Sequence, residues 1–173
     1  MRHILPHLDD VGSTAGSVTA WRDLRAAGVV RSASVMVPCP WYRATVEDWH
    51  ADPAQDIGLH LTLTSEWRTY RWRPMIGPGG GLTDAEGFFH RRPDMVAAHA
   101  DPQAVEDEMV AQVERALADG IRASHLDAHM GTAFLFLPQL LSVATRYGIP
   151  PLLCRDFAPL FRLVRCDGPD PKR

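Results

Sequence analysis

The chain has 173 residues, enough for one domain with a substantial core, and 46% of them are apolar against 23% charged. Its formal charge is 18 minus 21, or -3, with the arginines scattered along the chain, which argues against a nucleic-acid partner. No run approaches the roughly 18 apolar residues of a membrane span and no apolar leader opens the chain, so a membrane partner is not expected.

Three widely spaced cysteines, Cys39, Cys154 and Cys166, suggest a reducing compartment, and the cytoplasm is the expected location. Cys39 sits between Pro38 and Pro40. It reads more readily as a small buried hydrophobe than as a crevice-lining thiol.

Ile4-Leu5 predicts a short first strand, broken by Pro6 and followed by a turn from His7 to Asp10. A helix is expected over about Ala15 to Ala27, where Val18, Trp21 and Leu24 recur at helical spacing and Gly28 stops the run. Ser32 to Val37 reads as the second strand, Ala44 to His50 as a short helix, and Ile57 to Leu63 as the third strand. The segment from Thr64 to Asp101 has no clean periodicity, but it carries Trp67, Tyr70, Trp72, Phe88 and Phe89, so it is read as a long loop that covers or binds something.

Asp101-Pro102 is a strong helix start, and Val105, Met109, Val113 and Leu117 stack at i+4 before Gly120. Ala123 to Leu126 is the fourth expected strand, Pro138 to Arg146 the next helix, and Pro150 to Cys154 a fifth strand. Residues from about 165 to 173 read as a frayed tail of a single domain spanning 1–173. About five β-α units in a row imply an α/β fold with a parallel sheet, either an open layer or part of a barrel.

The chemistry-bearing residues cluster near the ends of these runs. They are His7-Leu8-Asp9-Asp10, Gly58-Leu59-His60-Leu61-Thr62 and His125-Leu126-Asp127-Ala128-His129. On extended backbone His125, Asp127 and His129 face one way. A buried strand is expected to be nearly all apolar, so His60 requires a hydrogen-bonding group or a metal as partner. Asp9 and Asp10 repel unless a cation compensates them, and the alternative is a helix-entry pair near Gly12. In α/β folds such groups converge at the carboxyl ends of strands. A carboxylate and two imidazoles meeting there would hold a divalent ion with a position left open, the chemistry of metal-assisted hydrolysis. Nucleotide, dinucleotide and serine-hydrolase fingerprints do not occur.

Pro6 to Gly12, Ser32 to Val37, Asp56 to Thr62 and Ser124 to His129, in this order and spacing, resemble the YdjC-like, or ChbG-type, carbohydrate deacetylases over roughly residues 1 to 155. The resemblance implies a metal-dependent hydrolase that removes acetyl groups from an N-acetylated sugar, built on parallel (β/α) units as an incomplete or open TIM-like barrel. It implies Asp10, His60 and His125 as metal ligands, Asp9 as general base, His129 as candidate acid, and Mg2+ or Zn2+ as the ion. Many members carry a histidine where Gly131 stands here, so the sugar specificity is not carried over. Five β-α units are too few for a closed barrel of seven or eight strands. Phe157 to Val164 is then a segment expected to pack on a partner chain over the open edge, giving a homodimer. Two other readings stay open: hydrolysis of a different amide or an ester, and a non-catalytic sugar-binding or assembly protein that keeps the metal site.

Overall fold

The computed structural model describes residues 5–152. Ile4, Cys154, Cys166, the Phe157 to Val164 segment and the expected frayed tail lie outside the described residues. The strands are β1 (His7–Val11), β2 (Ser32–Val35), β3 (Asp56–Leu61) and β4 (Leu126–Ala128). The helices are α1 (Ala15–Ala26), α2 (Tyr42–Ala51), α3 (Pro93–His99), α4 (Pro102–Ala118) and α5 (Leu137–Tyr147), with a 3-10 segment, His129–Phe136, between β4 and α5. The four strands pair in parallel in chain order, as expected of an α/β protein of β-α units. A single parallel bridge between Leu126 and Pro151, with Leu126 N–H donating to Pro150 O and Leu152 N–H to Leu126 O, starts a further pairing beyond β4.

Two expected boundaries shift in the same direction. The His7 to Asp10 motif is itself strand, because His7 and Leu8 pair with Ser32 and Ala33. The middle of the His125 to His129 motif, Leu126 to Ala128, likewise forms β4, with Asp127 opposite His60. The polar residues of these strands obscure the strand signal, which an apolar run carries more plainly.

Register explains the alternation. Leu8, Ala33 and Ile57 share one face with Val11, Val35, Leu59, Leu126, Leu61 and Ala128. This face packs on Trp21 of α1, Val46 and Trp49 of α2, Met109 and Val113 of α4, and Leu140 and Val143 of α5. The opposite face carries His7, Ser32, Ser34, His60 and Asp127, so one side of the sheet is core and the other is chemistry. Cys39, 5% exposed, belongs to the core cluster.

The helix ends follow their caps. Thr14 and Ser17 form a reciprocal capping box at α1, Asp101 accepts from Gln103 N–H at the start of α4, and Gly148 adopts the left-handed conformation that closes α5. The 64–101 segment is more ordered than its lack of periodicity suggests. It contains α3 and a Thr83–Phe89 antiparallel bridge, and it buries Trp72, Leu82 and Phe89. At its start, Gln112 of α4 accepts from Thr62 N–H at 2.9 Å and donates to Thr62 O at 2.7 Å, standing in for a strand partner where β3 ends.

Candidate metal centre at the carboxyl ends of the strands

Asp10 lies near the end of β1, where the pairing of β1 with β2 shifts register between Leu8 and Val11. Its φ of 61° is left-handed, a conformation aspartate tolerates better than most residues. The bulge turns the Asp10 carboxylate toward β3. There His60 Nε2 stands 3.1 Å from Asp10 Oδ1. His129 reaches the same oxygen from the other side, with Nδ1 at 2.9 Å. Just past β4 the chain passes through two left-handed residues, Met130 (φ 52°) and Gly131 (φ 68°), and His129 is 3% exposed at this corner.

Both imidazoles are held from behind by carboxylates. His60 Nδ1 is 3.1 Å from Asp127 Oδ2, which also accepts from Ser34 Oγ at 3.2 Å. His129 Nε2 is 3.0 Å from Glu66 Oε2. In each ring one nitrogen is oriented by a carboxylate and the other faces Asp10, the arrangement that fixes tautomer and direction in metal-ligating histidines. Neither Glu66 nor Asp127 has a role assigned from the sequence. Asp127 was legible in the alternation with His125 and His129. Glu66, five residues beyond β3 in an aperiodic stretch, carried no comparable signal.

A second group lies alongside. His7 Nε2 is 3.3 Å from Asp9 Oδ1 and 3.8 Å from Asp127 Oδ2, while its Nδ1 sits 2.9 Å from Ser32 Oγ. Among the described residues, two clusters have ligand atoms close enough to share one ion: Asp10 with His60 and His129, and His7 with Asp9 and Asp127. His125 is in neither. Its ring stands 5.1 Å from that of His7, its Nδ1 is 2.9 Å from Ser124 Oγ, and it lies over Gly58. A Cβ at Gly58 would come within 2.2 Å of His125 Nε2, so the glycine leaves the space that the ring occupies. Of the expected ligands, then, Asp10 and His60 meet, His125 stands just before β4, and His129 occupies the third corner.

The electrostatics follow from this packing. Hydrogen bonds from His129 and His60 hold the Asp10 carboxyl well below the usual range. Burial disfavours charge on His60, yet its bonds to Asp10 and Asp127 prevail and raise it to about 9. His129 behaves alike: burial opposes, and Asp10 and Glu66 raise it. Partial burial lifts the Asp9 carboxyl above its ordinary value, with His60 opposing.

An open cavity of about 460 Å³ exposes the cluster. It is lined by Asp9, Asp10, His60, Glu66, Asp127 and His129, with Ala128, Met130, Gly131 and Phe134 beside them. Four carboxylates and two imidazoles converge there, with no lysine or arginine in the lining among the described residues, a donor set that fits a divalent cation. A larger groove of about 540 Å³, lined by Arg25, Arg31 and Asp56, lies near the amino-terminal ends of β2 and β3 and has no such convergence.

Comparison with known proteins bears on this geometry. The chain is 32% identical over 149 residues to a protein named carbohydrate deacetylase 1 from Listeria innocua, covering 84% of this chain and 58% of that one. It is 34% identical over 149 residues to a carbohydrate deacetylase from Vibrio vulnificus, covering 85% and 57%. The chain thus spans under two thirds of the length of these relatives. Among solved structures, the crystal structure of a "putative cellobiose-phosphate cleavage protein" from Enterococcus faecalis superposes with a TM-score of 0.76 at 24% identity, over 91% of this chain and 63% of that one, and it supports the fold. A family profile described as YdjC-like protein matches residues 4–168, and the chain belongs to that family.

Proposed function

We propose that the protein is a metal-dependent hydrolase that removes the acetyl group from an N-acetylated sugar, with Asp10, His60 and His129 as the ligands of one divalent ion. The observation that carries this is the pair of histidines, each with one ring nitrogen on an orienting carboxylate and the other aimed at Asp10 Oδ1. The carbohydrate deacetylases among its relatives supply the substrate class. A ligand set of two imidazoles and one carboxylate suits zinc better than magnesium. A homodimer and a cytoplasmic location belong to the same proposal.

An ion held there supplies Lewis acidity toward the acetamide carbonyl. The other work falls to this chain. Asp9 lines the cavity beside the cluster, and burial raises its pKa, which strengthens it as a base. His7 holds one Asp9 oxygen, which directs the carboxylate. Water adds to the carbonyl carbon as Asp9 takes its proton. The C–N bond then breaks, and Asp9 returns the proton to the departing amine, leaving acetate and the free amino sugar. His129, with both ring nitrogens engaged by Asp10 and Glu66, serves as ligand in this proposal instead of acid, and His125 packs over Gly58.

The test combines metal analysis with a panel of N-acetyl and O-acetyl sugars. Purified protein should hold about one divalent ion per chain and release acetate from N-acetyl substrates, and a chelator should stop release. The Asp9→Asn protein should keep the ion and lose about 10²- to 10⁴-fold in turnover. Undiminished activity in excess chelator, or wild-type turnover in Asp9→Asn, overturns the reading.

A further inference from the structure

The five tryptophans divide into two classes. Trp21, Trp49 and Trp72 are buried, at 1%, 5% and 4% exposure, while Trp41 and Trp67 stand at 45% and 56%. The buried three direct their indole N–H into the fold, to Gln55, Gly120 O and Thr64 O. Trp67 differs in what it binds. Its indole N–H donates to Glu66 Oε1 at 2.8 Å, and the other oxygen of Glu66 is 3.0 Å from His129 Nε2. The carboxylate that orients one proposed ligand therefore also fixes the tryptophan.

This linkage sets the exposed ring of Trp67 beside Glu66, which lines the cavity, two hydrogen bonds from the cluster. With the N–H already satisfied, the ring has no polar group left to offer and presents only its π face. An aromatic face left free beside a polar cavity can be covered by a ligand that is apolar on one side. The chemistry that fits is a pyranose ring. One face of it is made of C–H groups, polarised toward the electron-rich face of an indole, while its hydroxyls stay at the edge in water. Met130, 45% exposed, gives the same cavity a second apolar surface.

We infer that Trp67 is a sugar-stacking platform, a specificity-determining residue that holds a pyranose ring of the substrate while the acetamide lies at the Asp10, His60 and His129 cluster. This rests on the sugar reading above, so the test separates the two. Acetate release from the β-1,4-linked dimer of N-acetylglucosamine would be measured for wild type, Trp67→Ala and Trp67→Phe, each loaded with metal. Binding of the same dimer would be followed by intrinsic fluorescence in an Asp9→Asn background.

Trp67→Ala should raise KM about tenfold with kcat within about threefold, and the sugar-induced fluorescence change should disappear. Trp67→Phe keeps an aromatic face and loses the bond to Glu66, so its KM should stay within about threefold of wild type. An unchanged KM in Trp67→Ala overturns the platform and leaves the deacetylase reading standing. Equal impairment in both variants also overturns it, since the bond to Glu66 would then be the cause. Absence of acetate release by the wild type together with absence of binding by the Asp9→Asn protein overturns platform and sugar reading together.

Discussion

Glu66 and Asp127 show how a carboxylate with no proposed role in the reaction can govern a site. Each accepts from the far nitrogen of a histidine whose near nitrogen faces Asp10. If Asp10, His60 and His129 hold the ion, these two set the direction of its imidazole ligands. Glu66→Gln keeps the shape and removes the charge that orients His129. It should weaken metal affinity about 10- to 100-fold, measured by competition with a chromophoric chelator, while the folded circular dichroism signal persists. Affinity equal to wild type would show that His129 needs no support. Sequence made Asp9, Asp10 and His60 legible as a group, since acidic or imidazole side chains in buried strands call for a compensating partner. It did not separate His125 from His129. Both lie on the same side of an alternating run, and the structure separates them by position: His129 follows β4 and reaches Asp10, whereas His125 precedes it and packs over Gly58.

At the scale of elements, the segments with one clean periodicity were the readable ones. Helix α4 begins at its Asp101 cap and Pro102 as expected, and of its i+4 row Val105, Met109 and Val113 are fully buried while Leu117 is 45% exposed. Strands β1 and β4 are harder to place because they carry polar residues where a strand is normally apolar. Helix α3, seven residues long, had too few turns to show a pattern. Gln112 presents a different case: a buried polar residue in the middle of α4 that makes sense only once β3 ends beside it. Its amide pairs with both backbone groups of Thr62 and donates to Glu108 Oε1 at 2.8 Å. Gln112→Ala strands these groups without water and should cost about 2–3 kcal/mol in urea unfolding. A loss under about 0.5 kcal/mol would mean that the end of β3 finds other partners.

Across the whole molecule, the 64–101 segment is pinned by charge as well as by aromatic packing. Arg71, whose side chain is 6% exposed, bonds Asp84 Oδ2 and Phe89 O, each at 2.6 Å, and lies over the Phe88 ring. Burial alone would raise the Asp84 carboxyl, but the bond from Arg71 outweighs it and the pKa is lowered. A carboxyl depressed in the folded state contributes stability that is complete above its unfolded value, near 4, and is lost as pH falls through the folded value. Asp84→Asn should therefore destabilise by about 1 kcal/mol at pH 7, a figure kept small by solvent on the outer side of Asp84. Wild type and variant should converge as the pH drops below about 4. A stability gap that stays constant across that range would assign the loss to packing instead of charge.

Cys39 gives the fold an internal clock. Burial, with the charges of Asp10 and Glu66 adding to it, pushes this thiol far above its ordinary ionisation range. Alkylating reagents attack thiolates, so the residue stays silent while the surrounding backbone is closed. Its N–H donates to Met36 O and its carbonyl accepts from Tyr42 N–H, while Met36 N–H bonds Val11 O, one residue beyond Asp10. With Cys154 and Cys166 replaced by serine, the pace at which Cys39 becomes modified would count excursions of the chain next to Asp9 and Asp10.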